Sequence, residues 1–275
     1  MSTPVLLSAD RLRARLVDDG PYAALDVVTV TGSTNTDLVA AAVEGAPDRA
    51  VLIAEEQNSG RGRLRRPWHS PRGFGLHVSV LLRPGLPPSG WFPLLAGVAL
   101  AETVQRTTDV SAALKWPNDL LLGSGQRWSK GAGILAEAVA GGGGTAIVVG
   151  IGVNVHHAAA DLPTGAGGLP ATSLAAEGAD VDREELAVAL LDAVAEVDDR
   201  WRATGGDVVA SGLLDRYRRL CGTLGQRVRV ELGERDPLVG TAVDVDRHGR
   251  LLVHADGEEE PAPVSAGDVV HLRPL

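Results

Sequence analysis

The chain has 275 residues, of which 44% are hydrophobic, a formal charge of -9 and a mean hydropathy of +0.06. This length allows a full core plus one small further domain, and the composition is that of a soluble globular protein. The acidic balance argues against a generic nucleic-acid or anionic-membrane surface, and the single cysteine, Cys221, excludes an intrachain disulfide.

The N-terminal residues predict a short helix over residues 8–17 and no secretory signal, because the apolar run is short and meets charged residues at once. This segment is too short for a winged-helix DNA-binding domain. The most apolar stretch, residues 91–101, has about half the length of a membrane span. We therefore expect a cytoplasmic protein with neither nucleic acid nor membrane as a partner.

Hydrophobic periodicity predicts an alternation of strands and helices along most of the chain. The expected strands cover residues 25–31, 50–55, 75–82, 133–139 and 145–155, and the expected helices cover residues 36–44, 91–105 and 184–201. A connection rich in Gly, Ala and Pro follows at 158–170. From residue 225 onward, short alternating runs indicate a small β-barrel or sandwich, with the domain boundary near Cys221.

A basic loop interrupts the acidic chain at GRGRLRRPWHSPRGFG, which begins at Gly60. It contains Arg61, Arg63, Arg65, Arg66 and Arg72 but no acid. Guanidinium groups bind phosphate or carboxylate, and interspersed glycines let the backbone approach a ligand closely. The loop therefore predicts an anion site, although a solvated arginine patch or an exposed hairpin tip gives the same composition.

Two lysine-containing motifs follow. KWPND places Lys115, Asn118 and Asp119 around a proline, and KGAGILAE places Lys130 ahead of a predicted strand. A Pro-Asn-Asp turn entering a strand accounts for part of the first motif. For Lys130 alone, a surface lysine is the simpler interpretation.

GSTN, at residues 32–35, and GIGVNV, at residues 150–155, place polar side chains beside apolar strands. GSTN is typical of a helix cap and also of a hydroxyl and amide cluster that binds a small polar group. Asn154 in GIGVNV either closes a turn or recognises a base edge. The histidines follow no trusted metal-ligand spacing.

Taken in order, GSTN, AEEQNSGRGR, Trp68, KWPND, KGAGILAE and GIGVNV resemble the successive motifs of the biotin protein ligases. The similarity covers roughly residues 30–156 and continues weakly through PATSL at residues 170–174. It implies an α+β catalytic domain over residues 1–221, with a mixed sheet and flanking helices like a class II aminoacyl-tRNA synthetase. It also implies a small SH3-like β-barrel domain over residues 222–275.

The resemblance implies that biotin and ATP react to give biotinyl-5′-AMP, whose biotinyl group passes to a lysine of an acceptor protein. The expected catalytic residues are Lys130, Arg61 and Arg63. The implied biotin-binding residues are Ser33, Thr34, Asn35, Gln57, Arg61, Gly62, Arg63, Lys130, Gly133, Gly150 and Gly152. The implied ATP and adenylate residues are Arg63, Trp68, Lys115, Asn118, Asp119 and Asn154, with Asp119 also the candidate ligand of Mg²⁺.

The implied partner is the biotin carboxyl carrier domain of acetyl-CoA or acyl-CoA carboxylases or of pyruvate carboxylase. The short leading segment implies a monofunctional ligase without repressor activity. Arg65 departs from the family pattern, which has glycine there, and residues 158–170 contain no aromatic to stack on adenine. The alternatives are a lipoate or octanoate ligase or transferase of related fold, and a small-ligand-binding regulator with a nucleic-acid-binding barrel.

Overall fold

The computed structural model describes residues 5–86, 89–124, 127–141, 144–162, 169–232, 235–265 and 268–271. The helices are α1 (Ala9–Arg13, continued by a π-helical turn over Ala14–Asp18), α2 (Thr34–Val43), α3 (Phe92–Thr107), α4 (Arg183–Ala203) and α5 (Leu213–Leu220). No helix of these segments is long and apolar enough to cross a membrane.

Seven strands form the larger sheet, in the spatial order β1-β2-β3-β7-β6-β5-β4. They are β1 (Ala24–Val28), β2 (Ala50–Ala54), β3 (Gly75–Leu82), β4 (Ala112–Lys115), β5 (Asp119–Ser124), β6 (Arg127–Gly141) and β7 (Gly144–Asn154). Only β1 and β2 pair in parallel, and the other neighbours are antiparallel. The predicted mixed sheet with flanking helices is thereby confirmed.

The two faces of this sheet have different cover. Val78 and Val80 of β3 and Ile151 of β7 belong to the main core, together with the apolar residues of α3 and α4. On the opposite face, Leu81 and Val148 pack with apolar residues of α2. Helix α2 covers only part of that face. The part of the sheet beyond the N-terminus of α2 lines a cavity.

Five strands form a second, antiparallel sheet in the order β11-β10-β9-β8-β12. They are β8 (Arg227–Leu232), β9 (Arg235–Val245), β10 (Leu251–Ala255), β11 (Ala262–Val264) and β12 (Asp268–His271). The indole nitrogens of Trp91 and Trp116 donate to the carbonyls of Arg247 (2.8 Å) and Gly249 (3.0 Å). These bonds attach the C-terminal sheet to the larger one.

Several predicted boundaries were wrong. The strand expected at 133–139 runs from Arg127 to Gly141, because β6 is paired on both sides and its Gly-rich start still forms a ladder with β5. The strand expected to reach residue 31 ends at Val28. Helix α5 was not predicted, since its charged sequence LLDRYRRL buries only one face. Residues 163–168 of the predicted connection lie outside the described segments.

Candidate active site

A cavity of about 1040 Å³ opens on the face of the larger sheet next to the N-terminus of α2. Every residue that the sequence assigned to a ligand lines it: Ser33, Thr34, Asn35, Gln57, Arg61, Gly62, Arg63, Trp68, Lys115, Asn118, Asp119, Lys130, Gly133, Gly150, Gly152 and Asn154. The fold thus brings together motifs that lie up to 121 positions apart (154 − 33).

Glycines form part of the cavity floor. In the strand register, Gly150 lies between Ser79 and Leu135, and Gly152 lies between His77 and Gly133. A Cβ at Gly150 would overlap the amide oxygen of Asn35, and one at Gly152 would lie 2.8 Å from Cε2 of Trp68. Glycine at these two positions therefore lets Asn35 and Trp68 pack directly on the backbone of the sheet.

The N-terminus of α2 closes one end of the cavity. Thr34 donates its backbone N–H to Oε1 of Gln57 at 2.9 Å. Ser33 occupies the N-cap position but its side chain makes no capping hydrogen bond. The plain capping interpretation of GSTN is therefore wrong for the Ser33 side chain, which lines the cavity.

Lys130 and Asp119 form an ion pair inside the cavity, with Nζ 2.6 Å from Oδ1. Nζ also lies 5.8 Å from the ring centroid of Trp68, within range of a cation–π interaction. The backbone of Lys130 is fixed by hydrogen bonds with Pro170 and Thr172. The surface-lysine interpretation is accordingly wrong, because the ammonium group lies in the cavity against Asp119 and Trp68.

Asn118 and Asn154 of the cavity wall each hold neighbouring backbone. Nδ2 of Asn118 donates to the carbonyl of Ile134 at 2.9 Å, and Nδ2 of Asn154 donates to that of Thr172 at 2.9 Å. Asn154 therefore fastens the segment that follows residues 158–170, and this bond joins residues 18 positions apart rather than closing a local turn. Contact of Asn154 with a base stays a prediction.

The arginine loop has the shape of a hairpin tip, one of the simpler alternatives, but it faces the cavity. Gly62 donates to the carbonyl of Arg66 at 2.8 Å, and Trp68 donates to that of Gly60 at 2.9 Å. Arg61, Arg63 and Arg66 line the cavity. The interpretation as a solvated patch alone does not fit this placement.

Three histidines that the sequence did not assign to a site line the cavity: His69, His77 and His157. Burial lowers the pKa of His77 and that of His157 to about 4, so both rings are neutral at pH 7. Nε2 of His77 has no hydrogen-bond partner among the described residues, whereas Nε2 of His157 lies 2.9 Å from Oγ of Ser70. The alternation of β3, which places His77 and Ser79 on one face, was the available signal.

The C-terminal sheet also reaches the cavity. Glu231 of β8 and Val269 and Val270 of β12 line it. Nearby, Oγ1 of Thr223 accepts from the backbone of Trp116 at 3.0 Å and contacts Nε2 of His271 at 3.0 Å. Sequence periodicity identified these strands but gave no indication that they border the site.

The chain matches two family models: the biotin/lipoate A/B protein ligase family over residues 27–154 and the biotin protein ligase C terminal domain over residues 223–272. It is 40% identical over 270 residues to a biotin–[acetyl-CoA-carboxylase] ligase of Mycobacterium tuberculosis, covering 95% of this chain and 94% of that one. It is 31% identical to the ligase of that name from Paracoccus denitrificans, covering 86% and 96%.

Among solved structures, a biotin protein ligase from Aquifex aeolicus in complex with biotin and ATP superposes with a TM-score of 0.75. The two sequences are 25% identical, and the superposition covers 92% of this chain and 100% of the other. Relatedness over nearly the full length of both chains, together with the motifs collected in one cavity, shows that this chain belongs to the biotin protein ligases.

Proposed function

We propose that this cavity catalyses both half-reactions of a biotin protein ligase. In the first, a carboxylate oxygen of biotin attacks the α-phosphorus of ATP, and pyrophosphate leaves. In the second, a lysine amine of the acceptor attacks the acyl carbon of biotinyl-5′-AMP, an amide forms, AMP leaves and the amine loses a proton. The observation that carries this proposal is one cavity that brings the hydroxyl and amide groups of GSTN and Gln57 together with the cations of the arginine loop and Lys130.

The polar end suits the ureido ring of biotin. Ser33, Thr34 and Gln57 meet at the N-terminus of α2, where hydroxyl and amide groups can satisfy the ring's N–H and carbonyl groups. Gly150 and Gly152 let Asn35 and Trp68 pack directly on the sheet backbone, and the cavity beside them has room for the bicycle and its tail. This orientation directs the biotin carboxylate away from α2 and toward Lys130.

The cationic end suits the reaction itself. Bringing a carboxylate to a phosphate opposes two negative charges, and more charge develops on the phosphoryl oxygens in the transition state. We assign Lys130 to this charge, with Arg61 and Arg63 of the loop beside it. Preorganised donors in a shielded site stabilise such charge better than water does.

Trp68, Lys115, Asn118, Asp119 and Asn154 are assigned to the adenylate. All five line the cavity, and Trp68 packs on Gly152 with its ring centroid 5.8 Å from Nζ of Lys130. Because Trp68 belongs to the arginine loop, a movement of that loop would enclose the nucleotide. Shielding of this kind protects an acyl-adenylate from hydrolysis.

Asp119 also fits a role in holding Mg²⁺. Its Oδ1 is buried, and its partner among the described residues is the Lys130 ammonium group of the ion pair. No cluster of three His, Cys, Asp or Glu side chains occurs among the described residues. One carboxylate completed by substrate phosphates is nevertheless a usual way to bind Mg²⁺, which offsets phosphate charge.

We infer that the acceptor is a biotin carboxyl carrier domain, as in acetyl-CoA or acyl-CoA carboxylase or pyruvate carboxylase, and that the protein acts in the cytoplasm. The relatives' names support a carboxylase as the acceptor. The cavity borders both sheets, so a carrier lysine can approach along the boundary between them.

The purified protein incubated with ATP, Mg²⁺ and biotin, lipoate or octanoate tests the proposal. We expect pyrophosphate release with biotin and transfer of label to a carrier domain. Release with lipoate or octanoate but not biotin would establish the alternative activity instead. Absence of release with all three acids would exclude an adenylating enzyme.

A further inference from the structure

A chain of hydrogen bonds runs from the surface of the larger sheet to the polar end of the cavity. It passes from Glu137 on β6 through Asn35, Ser79 and Thr34 to Gln57. Neither Glu137 nor Ser79 lines the cavity. The sequence motif KGAGILAE ends at Glu137, for which the function proposed above gives no role.

The orientation of the Asn35 amide is fixed by its neighbours. Nδ2 lies 2.7 Å from Oε2 of Glu137 and 3.2 Å from the carbonyl of Leu135. Both of these groups are acceptors, so the nitrogen must face them and Oδ1 must face Ser79. Asn35 is buried, whereas Glu137 is exposed and thus anchors the chain from the surface.

The donors of the next two bonds follow from this orientation. Oγ of Ser79 lies 2.7 Å from Oδ1 of Asn35 and 2.7 Å from Oγ1 of Thr34. A hydroxyl carries one hydrogen, and an amide oxygen can only accept. The Ser79 hydrogen therefore goes to Asn35, and the Thr34 hydroxyl donates its own hydrogen to Ser79.

Thr34 is then left as an acceptor toward the cavity. Oε1 of Gln57 already faces the Thr34 backbone N–H at 2.9 Å, and it lies 3.2 Å from Oγ1 of Thr34. Two acceptor oxygens this close repel each other slightly unless a donor approaches both. An N–H group of a ligand meets that requirement.

We propose that Glu137 and Ser79 are positioning residues that make Thr34 and Gln57 a paired acceptor for a ureido N–H group of biotin. This inference rests on the proposed placement of the ureido ring at the N-terminus of α2. It also assigns a specificity: the dithiolane ring of lipoate has no N–H and would leave both acceptors without a donor. Buried polar groups left without partners strongly disfavour the wrong ligand.

The test measures biotin affinity by isothermal titration calorimetry in Glu137→Ala, Glu137→Gln and Ser79→Ala. We expect affinity to fall about tenfold in Glu137→Ala and about 10- to 100-fold in Ser79→Ala, the range for leaving a buried hydrogen-bonding group without its partner. Glu137→Gln keeps an oxygen acceptor and should stay within about threefold of the wild type. The KM for ATP and the adenylation rate at saturating biotin should be unchanged.

A ligand series tests the direction of the bonds. In the wild type, replacing each ureido N–H of biotin in turn by CH₂ should weaken binding strongly at one position. In Ser79→Ala the loss of affinity caused by this replacement should be smaller. The Thr34 hydroxyl no longer donates to Ser79 there, so it can donate to Oε1 of Gln57 instead. An undiminished loss in Ser79→Ala would overturn the proposal.

A double-mutant cycle and a folding control complete the experiment. In an Asn35→Ala background, Glu137→Ala should cause no further loss of biotin affinity, because Glu137 acts through Asn35. A loss as large as in the wild-type background would contradict the proposed chain of hydrogen bonds. Thr103→Val removes another buried hydroxyl, which bonds to Ala189 and does not line the cavity, and should leave biotin affinity unchanged. If Ser79→Ala does not fold, the proposal is tested by the variants of the exposed residue Glu137 and by the double-mutant cycle with Asn35→Ala. Wild-type protein that binds lipoate but not biotin would refute the proposed function. Wild-type biotin affinity in both Glu137→Ala and Ser79→Ala would refute only the positioning role of these two residues.

Discussion

Lys130 is the residue on which the chemistry depends most directly. Its ammonium group is held by Asp119 and lies near Trp68, where biotin's carboxylate and the α-phosphate are proposed to meet. Lys130→Ala should slow adenylate formation by about 10²- to 10³-fold, as expected for loss of one transition-state donor. Single-turnover formation of biotinyl-5′-AMP measures this rate, and a rate within about threefold of the wild type would exclude the assigned role.

Gly150 shows how a missing side chain can shape the cavity. Gly150→Ala would place a methyl group on the Asn35 amide, so Asn35 must move or the strand must shift. We expect a loss of biotin affinity and a fall of about 1–3 kcal/mol in the free energy of unfolding, typical of overpacking. Titration calorimetry and urea denaturation measure the two effects.

Gly32→Ala is the matched control for that substitution. Gly32 also lies close to the N-terminus of α2, but a Cβ there meets no heavy atom within 4 Å. Its affinity and stability should stay near those of the wild type. Equal damage from the two substitutions would show that crowding at Asn35 is not the cause.

At the scale of elements, the arginine loop needs a left-handed residue, and the structure places it at Leu64, with φ of 55°. The family pattern has glycine one position later, where this chain has Arg65. Arg65 does not have a positive φ, so its backbone does not require glycine. The backbone of the loop thereby accommodates the substitution, while its effect on loop closure stays a prediction.

The loop should retain the intermediate as well as assist its formation. Arg61 lines the cavity, whereas Arg72 belongs to the same basic segment and does not. Arg61→Ala should release biotinyl-5′-AMP into solution faster than the wild type, because a guanidinium contact to the phosphate is lost. Rapid gel filtration of preformed enzyme-bound adenylate measures escape. Arg72→Ala should retain it normally, and equal escape from both variants would contradict a specific role for Arg61.

Much of this element-scale description was accessible to sequence reasoning. Alternation in residues 75–82 predicted β3 with its correct bounds, and the spacing of apolar residues predicted most of α4. The start of β6 was missed because glycines and Lys130 weaken the strand pattern there, while pairing with β5 stabilises it. Tertiary pairing overrode local propensity.

At the scale of the whole molecule, buried histidines make stability depend on pH. The pKa of His77 is about 4 in the folded chain and about 6.5 when the ring is exposed, so the unfolded chain binds more protons between these values. Stability contributed by neutral His77 is present above pH 6.5 and is lost as the pH falls toward 4. His157 and His271, whose pKa values burial also lowers to about 4, act in the same direction.

Urea denaturation at pH 7.5 and pH 5 measures this effect. For His77 alone, the free energy of unfolding should be about 2 kcal/mol lower at pH 5 than at pH 7.5. The reason is that it falls by about 1.36 kcal/mol for each pH unit below pH 6.5. His77→Gln should show a correspondingly smaller fall, since its side chain does not titrate. Identical pH dependence in the two proteins would mean that His77 is not kept neutral by burial.

The sequence by itself determined which residue types were available, their order, and the local elements that carry them. GSTN, the arginine loop, KWPND, KGAGILAE and GIGVNV could each be read locally, and their order indicated the family. Only the tertiary structure decided which of their atoms face one another. Strand register brings together the hydrogen-bonded residues between Glu137 and Gln57. Packing between the two sheets places Glu231 and Val269 in the lining of the cavity. Register and packing join residues far apart in the chain, and local periodicity carries no information about such pairs.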